Sequence, residues 1–223
     1  MIKLALVGKS IQHSKSQQIY EKLLHKKINY TLLDYQDEKL IPPAIELLEK
    51  FDGISITSPY KLHFLSQLST NLSPVVGVNT LRVSNNQIEG QNTDFLAVSE
   101  ILKNFYKNDF SDTFVLGDGV MADLTVRILK DLKVEFCQFS RKMGNMNKLN
   151  DTINSPTLII NTCAREYCYE GNLSELVTFW DMNYNLEQHC QLFQNTSIKY
   201  VDGIELLELQ AKYALSFWNL NTH

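Results

Sequence analysis

Short apolar runs recur along the chain and predict buried strands at KLALVG (3–8), YTLLDY (30–35), GISIT (53–57), NTLRVS (79–84), TFVLG (113–117), VEFCQF (134–139), TLIINT (157–162), FWDMN (179–183) and KYVDG (199–203). Between most of them apolar residues return every three or four positions, at 17–25, 43–50, 60–68, 94–106, 120–132 and 204–219. That is the period of an amphipathic helix. Strand–helix alternation of this kind predicts parallel α/β sheets. The polar stretch NFYKNDFSD (104–112) marks the start of a second α/β unit, and no internal repeat or low-complexity segment interrupts the pattern.

Composition narrows the class. The 223 residues are 44% hydrophobic and 21% charged, the balance of a soluble globular protein. No apolar run approaches the ~20 residues that span a bilayer. The opening MIKLALVG has too short an apolar stretch, and no small-residue cleavage site, for a signal peptide, so it reads as a first strand. Cys137, Cys163, Cys168 and Cys190 form no CxxC pair, and the five His show no ligand spacing. A disulfide framework or a structural metal is therefore not expected, and a cytoplasmic location is. The net charge of −4 argues against nucleic acid or an anionic membrane as partner. A small anionic ligand would need local cations.

The loop after the first strand, GKSIQHSKSQQIY (8–20), carries Ser10, Ser14 and Ser16 around His13. A loop that only reverses direction draws on Gly, Pro, Asn or Asp. Hydroxyls at this density offer hydrogen bonds to a polar ligand, while Ser16 equally suits the N-cap of the helix that follows.

TFVLGDGVMADLTVRIL (113–129) is an apolar strand, a GxGxxA turn and a helix with Leu124, Ile128 and Leu129 on one face. This context fits dinucleotide binding: Gly117 makes the tight turn, Gly119 admits a pyrophosphate to the backbone, and Ala122 allows close helix packing. An ordinary strand–helix turn is the competing reading. The next strand runs into Ser140, Arg141 and Lys142, where an NAD site places an acidic residue for the ribose hydroxyl. Two cations and a hydroxyl suit a 2′-phosphate, so the expected cofactor is NADP(H).

In GISITSPYKLHF (53–64), Pro59 suits the first turn of a helix, which puts Lys61 at that helix's positive end. The field there disfavours an ammonium. That is costly for a structural lysine and useful for one that exchanges protons. VGVNTL (76–81) and GQNTDF (90–95) both contain Asn-Thr. In the second, Asn92 or Thr93 can cap a helix with Asp94 in its first turn, a common place for a structural Asp.

Taken together and in order, HSKS, ITSPYK, VGVNTL, GQNTD, GDGVMA, SRK, WDMNYN and DGIELLELQAKYALSFW resemble the shikimate dehydrogenase family over nearly the whole chain. The resemblance implies a two-lobed α/β protein. Residues 1–94 would form a substrate-binding and catalytic domain and 95–202 a Rossmann-type NADP-binding domain, with a C-terminal helix at 203–223 returning to the first. It implies reversible NADPH-dependent reduction of 3-dehydroshikimate to shikimate by a monomer or homodimer. Lys61 and Asp94 match the catalytic pair. Ser14 and Ser16, joined by Tyr184, match the groups that hold the substrate carboxylate, and Thr57, Asn79 and Gln210 those that hold the ring hydroxyls. Gly117, Gly119, Ser140 and Arg141 match cofactor positions. Gln17 stands where the family has Pro, Asp118, Val120 and Met121 where it has small residues, and NTCAREY (161–167) replaces a small, Pro-containing loop. A weakly active or non-enzymatic binder of a shikimate-like ligand, and a dehydrogenase that also takes quinate, remain open alternatives.

Overall fold

The first apolar run becomes the interior strand of a sheet because its residues are buried on both faces. In the computed structural model, which describes residues 1–149, 153, 155–170, 173–194 and 196–220, the chain divides into two compact units. Unit 1 comprises Met1–Ala97 and Leu207–His223, and unit 2 comprises Val98–Leu206.

Unit 1 contains β1 (Lys3–Gly8), α1 (Ser16–Leu24), β2 (Asn29–Asp34), α2 (Ala44–Leu48), β3 (Gly53–Ile56), β4 (Thr70–Asn71), β5 (Thr80–Ser84) and β6 (Gln87–Gln91), and then enters α3 (Thr93–Phe105). The strand order is β2-β1-β3-β5-β6-β4. β2, β1 and β3 run parallel, whereas β5 is antiparallel to both β3 and β6. The all-parallel expectation therefore fails for this sheet. A strand was missed at Gln87–Gln91, where Ile88 is the only large apolar residue and gives no periodic signal. Asn85 and Asn86, at φ 49° and 57°, form the two-residue turn that twists correctly between the β5 and β6 strands.

The helix expected at 60–68 is also absent. Two short 3-10 turns, Tyr60–Leu62 and Leu65–Gln67, stand in its place. The Lys61 carbonyl, which an α-helix would give to residue 65, instead accepts from the Val78 N–H at 2.9 Å. One tertiary bond thus outcompetes the local ladder.

One face of the unit 1 sheet buries Leu4 with Tyr20 and Leu24 of α1 and Ala211, Ala214, Leu215 and Trp218 from the C-terminal end of the chain. The closest approach requires Gly53: a Cβ there would lie 2.4 Å from the Trp218 ring, whose Nε1 donates to the Leu81 carbonyl at 2.9 Å. The opposite face packs Val7, Ile54, Ile56 and Leu81 against Leu47, Tyr60 and Phe64.

Unit 2 contains β7 (Asp112–Leu116), α4 (Val120–Asp131), β8 (Cys137–Phe139), β9 (Thr157–Asn161), β10 (Val177–Asp181), α5 (Glu187–Phe193) and β11 (Lys199–Val201), and α6 (Ile204–Phe217) leaves it. Its five strands are all parallel, in the order β8-β7-β9-β10-β11. Continuous burial along β7, β9 and β10 matches strands covered on both faces. The strand expected at 134–139 begins only at Cys137, because the Val134 N–H closes the end of α4 on the Leu129 carbonyl. The sheet order reverses between β8-β7 and β9-β10-β11, so the topological switch point lies between the ends of β7 and β9.

Candidate active site

Lys61 and Asp94 meet in unit 1. The Lys61 Nζ lies 2.6 Å from Asp94 Oδ2, and the two side chains are 15% and 8% exposed. Lys61 is held by its 3-10 turn and the bond to Val78, Asp94 by the first turn of α3. Asn92 is the cap of that helix: its Oδ1 accepts from the Phe95 N–H at 2.9 Å. With no helix at 60–68, the helix-end field expected to act on Lys61 falls away. The carboxylate beside it is the dominant electrostatic neighbour, and the N-terminus of α3 in turn favours that carboxylate.

Asn79 stands next to this pair in the bonding network. Its Oδ1 accepts from the Thr93 N–H at 2.7 Å and from the Thr93 and Thr80 hydroxyls at 3.1 Å each. This commits the oxygen and leaves the amide nitrogen as the donor Asn79 can offer a ligand. Thr93, unremarked in sequence except as a possible cap, is thus the residue that fixes the Asn79 amide.

Ser14 and Ser16 are brought together at the start of α1. The Ser14 hydroxyl donates to Ser16 Oγ at 3.1 Å, and the Ser16 N–H reaches back to Ser14 Oγ at 3.3 Å. Ser16 does not cap the helix as expected. It is the first helical residue, and the preceding Lys15 makes no side-chain cap bond. The preceding loop is anchored by Asp34, whose carboxylate accepts from the N–H groups of Ser10 and Ile11. Those bonds, Ser10 first, hold Asp34 below the usual carboxylate pKa. Thr57 follows β3, its N–H on the Val7 carbonyl at 2.9 Å. Gln210 is half-buried on α6. Neither makes a direct bond to Lys61 or Asp94 among the described residues.

In unit 2 the glycine turn sits at the switch point. Gly117 has φ +112°, and a Cβ there would meet Thr162 Oγ1 at 2.6 Å. Thr162 in turn donates from its hydroxyl to the Leu116 carbonyl at 2.6 Å. A Cβ on Gly119 would meet nothing within 4 Å, and the helix it precedes has no side-chain cap. An open approach to uncapped N–H groups at the start of a twelve-residue helix fits a pyrophosphate. Arg141 and Lys142 are exposed, as a 2′-phosphate partner requires. Ser140 differs from its neighbours: it is 1% exposed, and its Oγ accepts from the Met143 N–H at 3.1 Å. It shapes the loop that carries Arg141.

Cys163 links these elements electrostatically. Burial pushes its thiol up to about 11, Arg141 opposes that rise, and Asp118 and Asp181 add to it. Tyr184 lies on the loop after β10, where Arg165 donates to the Tyr184 carbonyl at 2.8 Å and sits 5.6 Å from the Tyr184 ring centre. Beneath that loop, fully buried Asp181 accepts from Asn161, Asn183 and His189. The His–Asp spacing of eight residues carried no recognisable sequence signal.

A parallel sheet with a glycine turn at its switch point defines unit 2 as a dinucleotide-type α/β unit, and unit 1 adds a shielded Lys–Asp pair. The chain is similar in sequence to shikimate dehydrogenases over 96% of its length. The shikimate dehydrogenase (NADP(+)) of Clostridium beijerinckii is 27% identical over 247 residues, covering 96% of this chain and 90% of that protein. That of Caldivirga maquilingensis is 25% identical over 244 residues with the same coverage. The solved shikimate dehydrogenase of Aquifex aeolicus shares the fold, with a TM-score of 0.77 at 21% identity over 100% of this chain and 94% of that one. No protein-family profile matches the chain.

Proposed function

We propose that the protein catalyses the reversible NADPH-dependent reduction of 3-dehydroshikimate to shikimate, with Lys61 and Asp94 as its catalytic pair. The observation that carries this reading is the shielded 2.6 Å contact between Lys61 and Asp94. A lysine so placed can protonate an alkoxide and recover its proton from solvent, with the carboxylate holding it in place. Bound NADPH supplies the hydride. Its 2′-phosphate is assigned to Arg141 and its pyrophosphate to the backbone at Gly117 and Gly119, on the loop that Ser140 shapes. The Ser14 and Ser16 hydroxyls, with Tyr184, are assigned to the substrate carboxylate, and Thr57, Asn79 and Gln210 to the ring hydroxyls. The ammonium delivers its proton to the oxygen at C3 as that carbon takes up hydride, so ketone, hydride and proton together give the alcohol. We assign residues 1–94 and 203–223 to the substrate domain and 95–202 to the cofactor domain. The enzyme is read as cytoplasmic, a monomer or homodimer acting on a small molecule. No helix among the described residues is long and apolar enough to cross a membrane.

The test is spectrophotometric. Purified protein mixed with NADPH and 3-dehydroshikimate should consume the reduced cofactor, and shikimate with NADP should regenerate it. Parallel runs with quinate and with NADH separate a quinate-using enzyme and an NAD-using one. Shikimate binding without any turnover would make the chain a binder and overturn the enzymatic reading.

A further inference from the structure

Asn92 is buried, and both ends of its side-chain amide are bonded to backbone. Its Oδ1 accepts from the Phe95 N–H at 2.9 Å, which caps the turn of α3 that presents Asp94. Its Nδ2 donates to the Gly77 carbonyl at 3.1 Å. The two ends are not interchangeable, because an N–H needs the amide oxygen and a carbonyl needs the amide nitrogen.

Gly77 belongs to the segment that fixes Lys61. The next residue, Val78, donates its N–H to the Lys61 carbonyl at 2.9 Å. Gly77 itself has φ +100°, and a Cβ there would lie 3.4 Å from that same carbonyl. The segment therefore runs against the backbone of the lysine with no side chain between them. The Ser73 hydroxyl is also 3.1 Å from the Gly77 carbonyl, but its single proton has a nearer acceptor, the Val75 carbonyl at 2.7 Å. That leaves Asn92 as the dedicated donor to Gly77.

Hydrogen bonds and single peptide steps thus connect Lys61, Val78, Gly77, Asn92 and Asp94. Attraction between the two charges does not by itself set their geometry, because a lysine stem is flexible. The anchoring of the two backbones does. We propose that Asn92 is a positioning residue for the Lys61–Asp94 pair, its amide tying the segment that holds Lys61 to the helix turn that carries Asp94. A carboxylate or a hydroxyl could cap the helix equally well. The amide alone adds a permanent donor, at the reach that Gly77 requires. Asn79 ties the same segment to the Thr93 N–H, so losing the Asn92 donor loosens the pair without releasing the segment. This inference rests on the catalytic reading of Lys61 and Asp94.

The experiment compares steady-state kinetics and thermal melts of the wild type, Asn92→Ser, Asp94→Asn and the double variant, with NADPH and 3-dehydroshikimate. Serine keeps a capping oxygen and is too short to reach Gly77. Asn92→Ser should melt close to the wild type and lower kcat by about 10–100-fold, the scale of a ~1 Å misplacement. KM for both substrates should stay near the wild-type values, because Asn92 is assigned to neither ligand. In the Asp94→Asn background the serine substitution should cost little more, since the pair it positions is already broken. Unchanged kcat in Asn92→Ser, losses that multiply in the double variant, or a KM rise that exceeds the fall in kcat would each overturn the role of Asn92 and leave the shikimate reading intact. A variant that fails to fold or melts far below the wild type would also overturn it, making Asn92 a support of the unit as a whole. A wild type without turnover would instead overturn the catalytic reading of the pair, and this inference with it.

Discussion

Lys61 Nζ and Asp94 Oδ2 stand 2.6 Å apart, one on a 3-10 turn and the other in the first turn of a helix, with little of either side chain exposed. Removing one partner leaves the other as an uncompensated, largely buried charge. Both Lys61→Met and Asp94→Asn should therefore lower kcat by about 10²–10⁴-fold, the usual worth of a positioned acid–base group. The check is NADPH oxidation with 3-dehydroshikimate at saturation, with circular dichroism to confirm the fold. Turnover within about threefold of wild type for Lys61→Met lies far below that range and would remove the lysine from the mechanism.

In unit 2, His189 Nδ1 lies 2.6 Å from Asp181 Oδ2, and its Nε2 accepts from the Tyr169 N–H at 2.8 Å. Because Nε2 is an acceptor, the ring proton sits on Nδ1 and points at the carboxylate. His189→Ala strands the Tyr169 N–H and takes a donor from a fully buried carboxylate. At ~1–3 kcal/mol for each unsatisfied group, the variant should lose about 3 kcal/mol, with a cavity cost added. Urea unfolding of the two proteins measures it. A loss below about 1 kcal/mol would mean that water takes over both bonds.

These two pairs mark what the sequence makes legible. Asp94 could be placed because Asn92 and Thr93 announce a helix start, and α3 begins at Thr93. The glycine turn could be placed because an apolar strand precedes it and an amphipathic helix follows, as β7 and α4 do. Lys61 was singled out for a reason the structure removes, since the Val78–Lys61 bond is long-range and no local pattern encodes it. His189–Asp181 and Tyr20–Ser55 were invisible for the same reason: each joins residues from different elements. Ser140 was read as a ligand group from its place beside two cations; its oxygen also accepts from the Met143 N–H, a bond within the loop that the sequence did not announce.

The four cysteines should differ in reactivity. Burial pushes the Cys163 thiol up to about 11, while Cys137 and Cys190 are exposed. Since the thiolate is the reactive form, Cys163 should be the slower to alkylate near pH 8, and its rate should still be climbing at pH 10. Peptide-resolved mass spectrometry after timed iodoacetamide exposure reads this directly. Labelling of Cys163 ahead of Cys137 at pH 8 would contradict the shielding.

Arg141 is exposed beyond the end of β8, next in sequence to the buried Ser140. A guanidinium there reads a 2′-phosphate through charge-assisted bonds and has nothing equivalent to hold in NAD. Arg141→Ala should weaken NADPH by at least ten-fold, about 1.5 kcal/mol or more, and leave NADH nearly unchanged. Fluorescence titration of both cofactors checks it. Equal losses for the two would assign Arg141 to the loop rather than to the phosphate.

Asp118 is the residue of the glycine turn whose charge opposes the ligand proposed for it. Its carboxylate is exposed, between Gly117 and the open approach at Gly119. A like charge at ~4–6 Å from a pyrophosphate costs on the order of 1 kcal/mol where water screens it and several times that where water is excluded. Exposure selects the smaller figure, and Asp118 already acts at a distance, adding to the upward shift of Cys163. Asp118→Ala should therefore tighten NADPH about five-fold at low salt, the equivalent of ~1 kcal/mol. The gain should shrink as ionic strength rises and the Debye length falls towards ~3 Å at 1 M. Turnover at saturating NADPH should change little, because the substitution alters cofactor affinity and leaves Lys61 and Asp94 untouched. Titrations at low and high salt, wild type against variant, decide the point. Looser binding in Asp118→Ala would mean that the carboxylate supports the conformation of the turn, and that this support outweighs its repulsion of the phosphates.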